Sequence, residues 1–147
     1  MTTTLTDVLR SLGRADALDL RARAEGMDGT HIIREETKIP VFDHEKDYTD
    51  WPVGSPVTHE EQVYKLLQPH NAANYKGNPS TLKSLWSICH TKDPDKAKPW
   101  QSPNGTSGMY MKDECYKKTD GKVMQSLEDN VVHDADAAPQ FWKEVIL

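Results

Sequence analysis

A chain of 147 residues with 36% apolar residues has the length of one domain but the composition of a small or divided core. Its net charge of -5 leaves no basic surface that would make nucleic acid the default partner. No apolar run approaches the ~20 residues of a membrane-spanning helix, and Met1-Thr2-Thr3-Thr4 lacks the basic start and apolar stretch of a secretion signal. A soluble protein with neither nucleic-acid nor membrane partners is therefore expected.

Residues 4–26 read as helix. Thr4 with Asp7 forms a start like a capping box, Leu5, Val8, Leu9 and Leu12 share one helical face, and Gly26 is a stop. Gly13 leaves open a break into two short helices. The apolar stripe is too narrow to stay dry on a lone helix, so it predicts packing on the chain or on a copy of itself, and hence a homo-oligomer. Loss of residues 1–40 is expected to leave soluble β modules. A further helical turn follows Asp28-Gly29-Thr30, using Ile32 and Ile33.

The segment Lys38-Ile39-Pro40-Val41-Phe42 and the charged residues after it read as an extended connector, because Pro40 keeps its predecessor out of helix. From Trp51 onward short strands separated by turn residues take over. An imperfect repeat organises them: Val53-Gly54-Ser55-Pro56-Val57-Thr58, Val63-Tyr64-Lys65-Leu66-Leu67-Gln68 and Leu85-Trp86-Ser87-Ile88 recur as Met111-Lys112-Asp113-Glu114-Cys115-Tyr116, Val123-Met124-Gln125-Ser126-Leu127-Glu128 and Phe141-Trp142-Lys143-Glu144-Val145. The fold class is thus α+β, a helical segment followed by two small antiparallel β modules. The divisions are 1–45 for the helical segment and connector, 46–92 for the first module, and 93–147 for the inter-module loop and second module.

Asp120-Gly121 is the clearest hairpin turn and is expected to supply two residues of positive φ. His59-Glu60-Glu61-Gln62 lacks such a pair and predicts a looser hairpin. Residues 91–108, dense in proline and Asn-Gly, read as a structured loop or a clasp between modules. Trp86 and Trp142, at equivalent repeat ends, read as core plugs, with Trp51 closing the first core from the other side. Trp100 has no counterpart in the repeat and reads as the anchor of the loop, with an exposed platform as the alternative. Cys89 and Cys115 make no disulfide framework, and their pairing stays open.

The stretch Val57-Thr58-His59-Glu60-Glu61-Gln62-Val63-Tyr64-Lys65-Leu66-Leu67-Gln68-Pro69-His70, closed by Leu85-Trp86, resembles the small chitin-binding modules of carbohydrate-binding families five and twelve. The likeness spans residues 51–88; the second repeat follows it more weakly. It implies a twisted antiparallel module that binds an N-acetylglucosamine-type polymer through an aromatic after the Pro-His pair, which by position is Tyr75. A sugar's C–H face stacks on such a ring, while Asn71, Asn74 and Asn78 flank it as hydrogen-bonding groups. The alternative is that Tyr75 only packs its loop. Val63 to Trp86 is four residues longer than Val123 to Trp142, and the shorter loop Asn130-Val131-Val132-His133-Asp134 has no aromatic.

No catalytic residues, metal ligands or cofactor site are expected. The histidines are scattered, no CxxC or phosphate loop is present, and the adjacent pairs Glu35-Glu36 and Glu60-Glu61 point in different directions. Asp7-Val8-Leu9-Arg10-Ser11-Leu12-Gly13-Arg14-Ala15-Asp16-Ala17-Leu18 and Gly105-Thr106-Ser107-Gly108-Met109-Tyr110-Met111-Lys112 also resemble proteins of phages and prophages of Gram-positive bacteria. That resemblance implies a non-enzymatic virion protein, released by lysis. It would bind host surface glycan and meet other virion proteins through its helix. The alternative is a structural adaptor with no sugar binding.

Overall fold

The computed structural model describes the backbone of residues 5–103 and 107–147, and side chains from residue 14 onward within those limits. The chain is α+β: a helical segment near the N-terminus and two antiparallel-rich sheets. Helix α1 (Leu5–Arg23) runs through Gly13 without a break and tightens into a 3-10 turn at Ala24–Gly26. The stripe of Leu5, Val8, Leu9 and Leu12 and the Thr4 cap lie outside the described side chains, as does Asn104-Gly105. Asp28 starts α2 (Gly29–Arg34) from an extended backbone, its carboxylate accepting from the His31 N–H at 2.9 Å, which satisfies one of the free donors of the first turn.

The first sheet joins β1 (Pro56–His59), β2 (Gln62–Leu66) and β3 (Trp86–Ile88) in antiparallel order. Alternation along β2 assigns its side chains to two environments. Tyr64 and Leu66 enter an aromatic core with Tyr48, Val57 and Trp86, whereas Val63 and Cys89 pack with Leu20, Ala24, Ile32, Ile33 and Ile39 of the helical segment. Lys65, also on the helical side, donates to the Met27 carbonyl at 2.9 Å. Helices so placed are the second wall of a core in which each large aliphatic side chain contributes ~1.5–3 kcal/mol. Removing residues 1–40 would strip Val63 and Cys89 of that wall, which weighs against soluble β modules after such a deletion. Gly54 permits the close approach: a Cβ there would lie 2.5 Å from Glu25 Cα, and its φ is +89°.

The second sheet orders β4 (Lys98–Pro99), β5 (Cys115–Lys117), β6 (Val123–Ser126) and β7 (Trp142–Val145), with β4 parallel to β5 and the rest antiparallel. Its backbone repeats the first. The Gly54 N–H donates to Leu66 O and the Asp113 N–H to Ser126 O, while the Leu67 and Leu127 N–H groups donate to Leu85 O and Phe141 O. Gly54 therefore corresponds to Asp113, not to Lys112 as sequence alignment places it. The extra residue sits in the turn after β5, where Gly121 at φ +90° follows a bend closed by its N–H to Lys118 O. Only Gly121 of the Asp120-Gly121 pair has positive φ. The hairpin expected to be loose is instead the tight one: Glu60 and Glu61 alone separate the paired His59 and Gln62, at φ +47° and +69°.

The repeat also begins earlier than the sequence suggests. Val41 bridges Thr58 in parallel just as β4 pairs with β5, so Phe42 is the counterpart of Trp100. Phe42 stacks with Tyr48 at 6.0 Å and meets Trp86 edge-on at 5.8 Å; Trp100 stacks with Tyr110 at 4.8 Å and meets Trp142 edge-on at 6.0 Å. Trp100 is thus an anchor, but one with a partner in the other copy. Trp86 and Trp142 are both buried, at 1% and 5% exposure. The two halves are sewn together, because Cys115 donates to the Thr91 carbonyl beyond β3 and Tyr64 Oη reaches Gln101 in the linking segment. Cys89 and Cys115 are free and buried.

Candidate functional site

Between β2 and β3 the chain leaves the sheet for a loop held at both ends. The Ala72 N–H donates to Lys46 O, the Tyr48 N–H to His70 O, and a 3-10 turn at Ala72–Asn74 delivers the Tyr75 N–H to Ala72 O. This turn forms because Asn71, extended and just ahead of it, accepts from the Ala73 N–H at 3.1 Å. Beyond Tyr75, the Asn78 side chain accepts from the Ser80 N–H at 2.8 Å, and the Asn78 N–H donates to the Thr81 hydroxyl at 3.0 Å. Lys76 and Gly77 lie exposed between these two local braces.

Tyr75 stands at the apex, 41% exposed, its ring edge-on to the buried His70 imidazole at 5.3 Å. His44 Nε2 lies 2.9 Å from the Tyr75 carbonyl, in hydrogen-bond contact. One edge of the ring is therefore seated while much of the rest remains in solvent, on a backbone fixed from two sides. That arrangement offers an apolar, π-bearing surface at little ordering cost to whatever stacks on it.

Of the residues expected around the platform, Asn74 is exposed beside Tyr75 with no protein partner for its amide among the described residues. Asn71 and Asn78 lie in the same loop, but each uses its side-chain oxygen to shape that loop, leaving the NH₂ group for anything outside. His44 and His70 are the positioning groups the sequence reading did not single out. His70 lay inside the recognised motif, but only its ring contact reveals its role, and His44, thirty-one residues from Tyr75 in sequence, gives no local signal.

The second copy differs at the same place. Val131 pairs with Tyr110, and the short loop after it holds the His133 carbonyl over the core, where it accepts from Trp142 Nε1 at 2.9 Å. Trp86 Nε1 is buried without such a partner, as is His70 Nε2. The longer first loop lifts its backbone away from the indole, trading a core hydrogen bond for the projecting Tyr75.

Trp51 is half-buried against Tyr48, edge-on at 4.6 Å, with the Arg21 guanidinium 3.5 Å above its ring. It closes the first core as expected and also ties α1 to that module through a cation–π contact. Among the described residues there is no group of three or more His, Cys, Asp or Glu side chains placed to hold a metal, and no helix long and apolar enough to cross a membrane. Comparison with protein-family models and with curated proteins finds no match to this sequence.

Proposed function

We propose that the chain is a non-enzymatic glycan-binding protein of carbohydrate-binding-module type, with Tyr75 as its stacking platform and Asn74 as the adjacent hydrogen-bonding group. The observation that carries this reading is the rigid presentation of a half-exposed ring on a loop present in only one of two otherwise matching copies. A structural loop would gain more by satisfying Trp86 Nε1, as the second copy satisfies Trp142. The partner is an N-acetylglucosamine-type polymer of a bacterial surface. The setting is a virion, where many copies turn weak contacts into firm attachment.

Pull-down on insoluble chitin and on Gram-positive cell walls tests this with the native chain, Tyr75→Ala and His133→Ala. Stacking on one ring contributes only about 0.5–1.5 kcal/mol beyond buried area, so retention should be weak and should fall about 2–10-fold without Tyr75. His133→Ala should bind as the native chain does. Retention unchanged by Tyr75→Ala, or absent on every glycan, removes the reading.

The second reading, a structural adaptor with no sugar bound, is favoured by a different observation. Leu18 and Val41, 58% and 74% exposed, offer apolar surface that is not part of the Tyr75 loop.

A further inference from the structure

α1 does not close fully against the segment that leads into the first module. Between them runs a groove of about 740 Å³, lined along the helix by Arg14, Ala17, Leu18 and Arg21, with Asp16 as its one carboxylate, and on the other wall by Lys38, Ile39 and Pro40. Positions 14, 17, 18 and 21 share one helical face, so the groove follows the helix axis. Leu18 and Val41, just beyond Pro40, leave an apolar strip in solvent at its mouth. Phe42 N–H and Pro40 O bond to Thr58, so Val41 presents its own N–H and C=O outward as a sheet edge.

The cations of this groove are short of partners. Neither Arg14 nor Arg21 pairs with a carboxylate among the described residues, although Arg23 and Lys38 both do. Arg21 lies flat on Trp51, its Nε buried without an acceptor, and burial lowers its pKa. A guanidinium stacked by its face keeps its in-plane donors for an oxyanion.

The matching surface lies next door on the same chain. Residues 43–50 carry Asp43, Glu45, Asp47 and Asp50 against one lysine, and all four acids are exposed. A cationic groove beside an acidic loop, with an apolar strip between them, is what a two-fold axis requires: each patch meets its opposite on the other subunit.

We propose that this face is a self-association surface, occupied by a second copy of the chain. Leu18 and Val41 of one copy pack against Val41 and Leu18 of the other. Arg14 and Arg21 receive the carboxylates of the other copy's acidic loop. The inference does not rest on glycan binding, although the acidic loop adjoins the Tyr75 loop through His44 and Lys46, because its test reads mass and not retention on a polymer.

Light scattering coupled to size exclusion tests it on the full chain. The native protein should elute at twice the 16.6 kDa of one chain. Leu18→Asp, Arg14→Glu and Glu45→Arg each alter an exposed position, so circular dichroism should be unchanged while dimer affinity falls at least about tenfold. Arg14→Glu combined with Glu45→Arg should recover a substantial part of that loss, which a merely structural effect would not do. A native mass of one chain, a dimer that survives Leu18→Asp, or a double variant no tighter than the weaker single variant overturns the proposal.

Discussion

The hairpin between β1 and β2 invites a backbone experiment. Glu60 and Glu61 both sit in the left-handed region, at φ +47° and +69°, where an L side chain crowds its own carbonyl at a cost of roughly 1–2 kcal/mol per residue. Replacing the pair by Asn-Gly fits the two-residue turn that the strand twist demands. Glycine at 61 removes that crowding but returns about 0.5–1 kcal/mol as freedom in the unfolded chain, and asparagine at 60 retains part of its own cost. The net expectation is a stabilisation of about 1–2 kcal/mol, or ~2–8 °C in the melting midpoint for a chain of this size. Glu60→Gln with Glu61→Gln separates backbone from charge: it removes both carboxylates and keeps the strain. Among the described residues the only ion contact of the pair is that of the exposed Glu60 carboxylate at 3.9 Å from His59, so that control should move by under about 0.5 kcal/mol. Differential scanning calorimetry of the three proteins decides the matter. Asn-Gly melting at or below the native chain, or Gln-Gln matching Asn-Gly, would refute the strain argument.

Two further outcomes follow from the cores. Trp86→Ala and Trp142→Ala should each cost ~3–5 kcal/mol in urea unfolding, but Trp→Phe should separate them. At 142 the change loses the bond to the His133 carbonyl, about 0.5–1.5 kcal/mol, whereas at 86 it removes an unpaired buried N–H; equal costs at the two sites would count against the pairing difference. His90 provides a pH test: buried against the Tyr110 ring at 3.7 Å, it is held from its ordinary 6.5 down to about 4. The unfolded chain thus takes up this proton near pH 6.5 and the folded chain only near 4. Stability present above 6.5 is lost as pH falls through that window, by about 2 kcal/mol at pH 5. Glu114, raised by burial, acts in the opposite sense where its carboxyl titrates. His90→Phe should flatten the decline of the urea midpoint between pH 7.5 and 5, and an unchanged decline would assign it to other groups.

What could be read from the sequence was the local grammar of each copy. The frame of the central and last strands, the burial of Trp86 and Trp142, and the Asp28 start of a helical turn all depend on period and residue type within a few positions. What could not be read depended on contacts distant in sequence. Phe42 and Trp100 correspond because each follows an edge residue paired to the first hairpin strand, and the proline beside each, Pro40 and Pro99, hides that pairing. The one-residue slip between Gly54 and Asp113 arose because the turn after β5 carries the extra residue, and residue types alone did not locate it. At the candidate site Tyr75 was legible from its position after Pro-His. The seats under it were not, since His44 reaches Tyr75 from another element.

The stitch between Thr91 and Cys115 has a mechanical consequence. The chain leaves β3, passes Cys89 and binds the edge of the second half before that half's first hairpin strand is complete, while Gln62 Nε2 holds Pro99 O from the opposite direction. A pull applied to one half is therefore carried into the other through a backbone bond on one side of the junction and a side-chain bond on the other. Neither half can peel away by itself, so a tether anchored at the helical end and loaded at β7 should hold as one body and yield in a single rip.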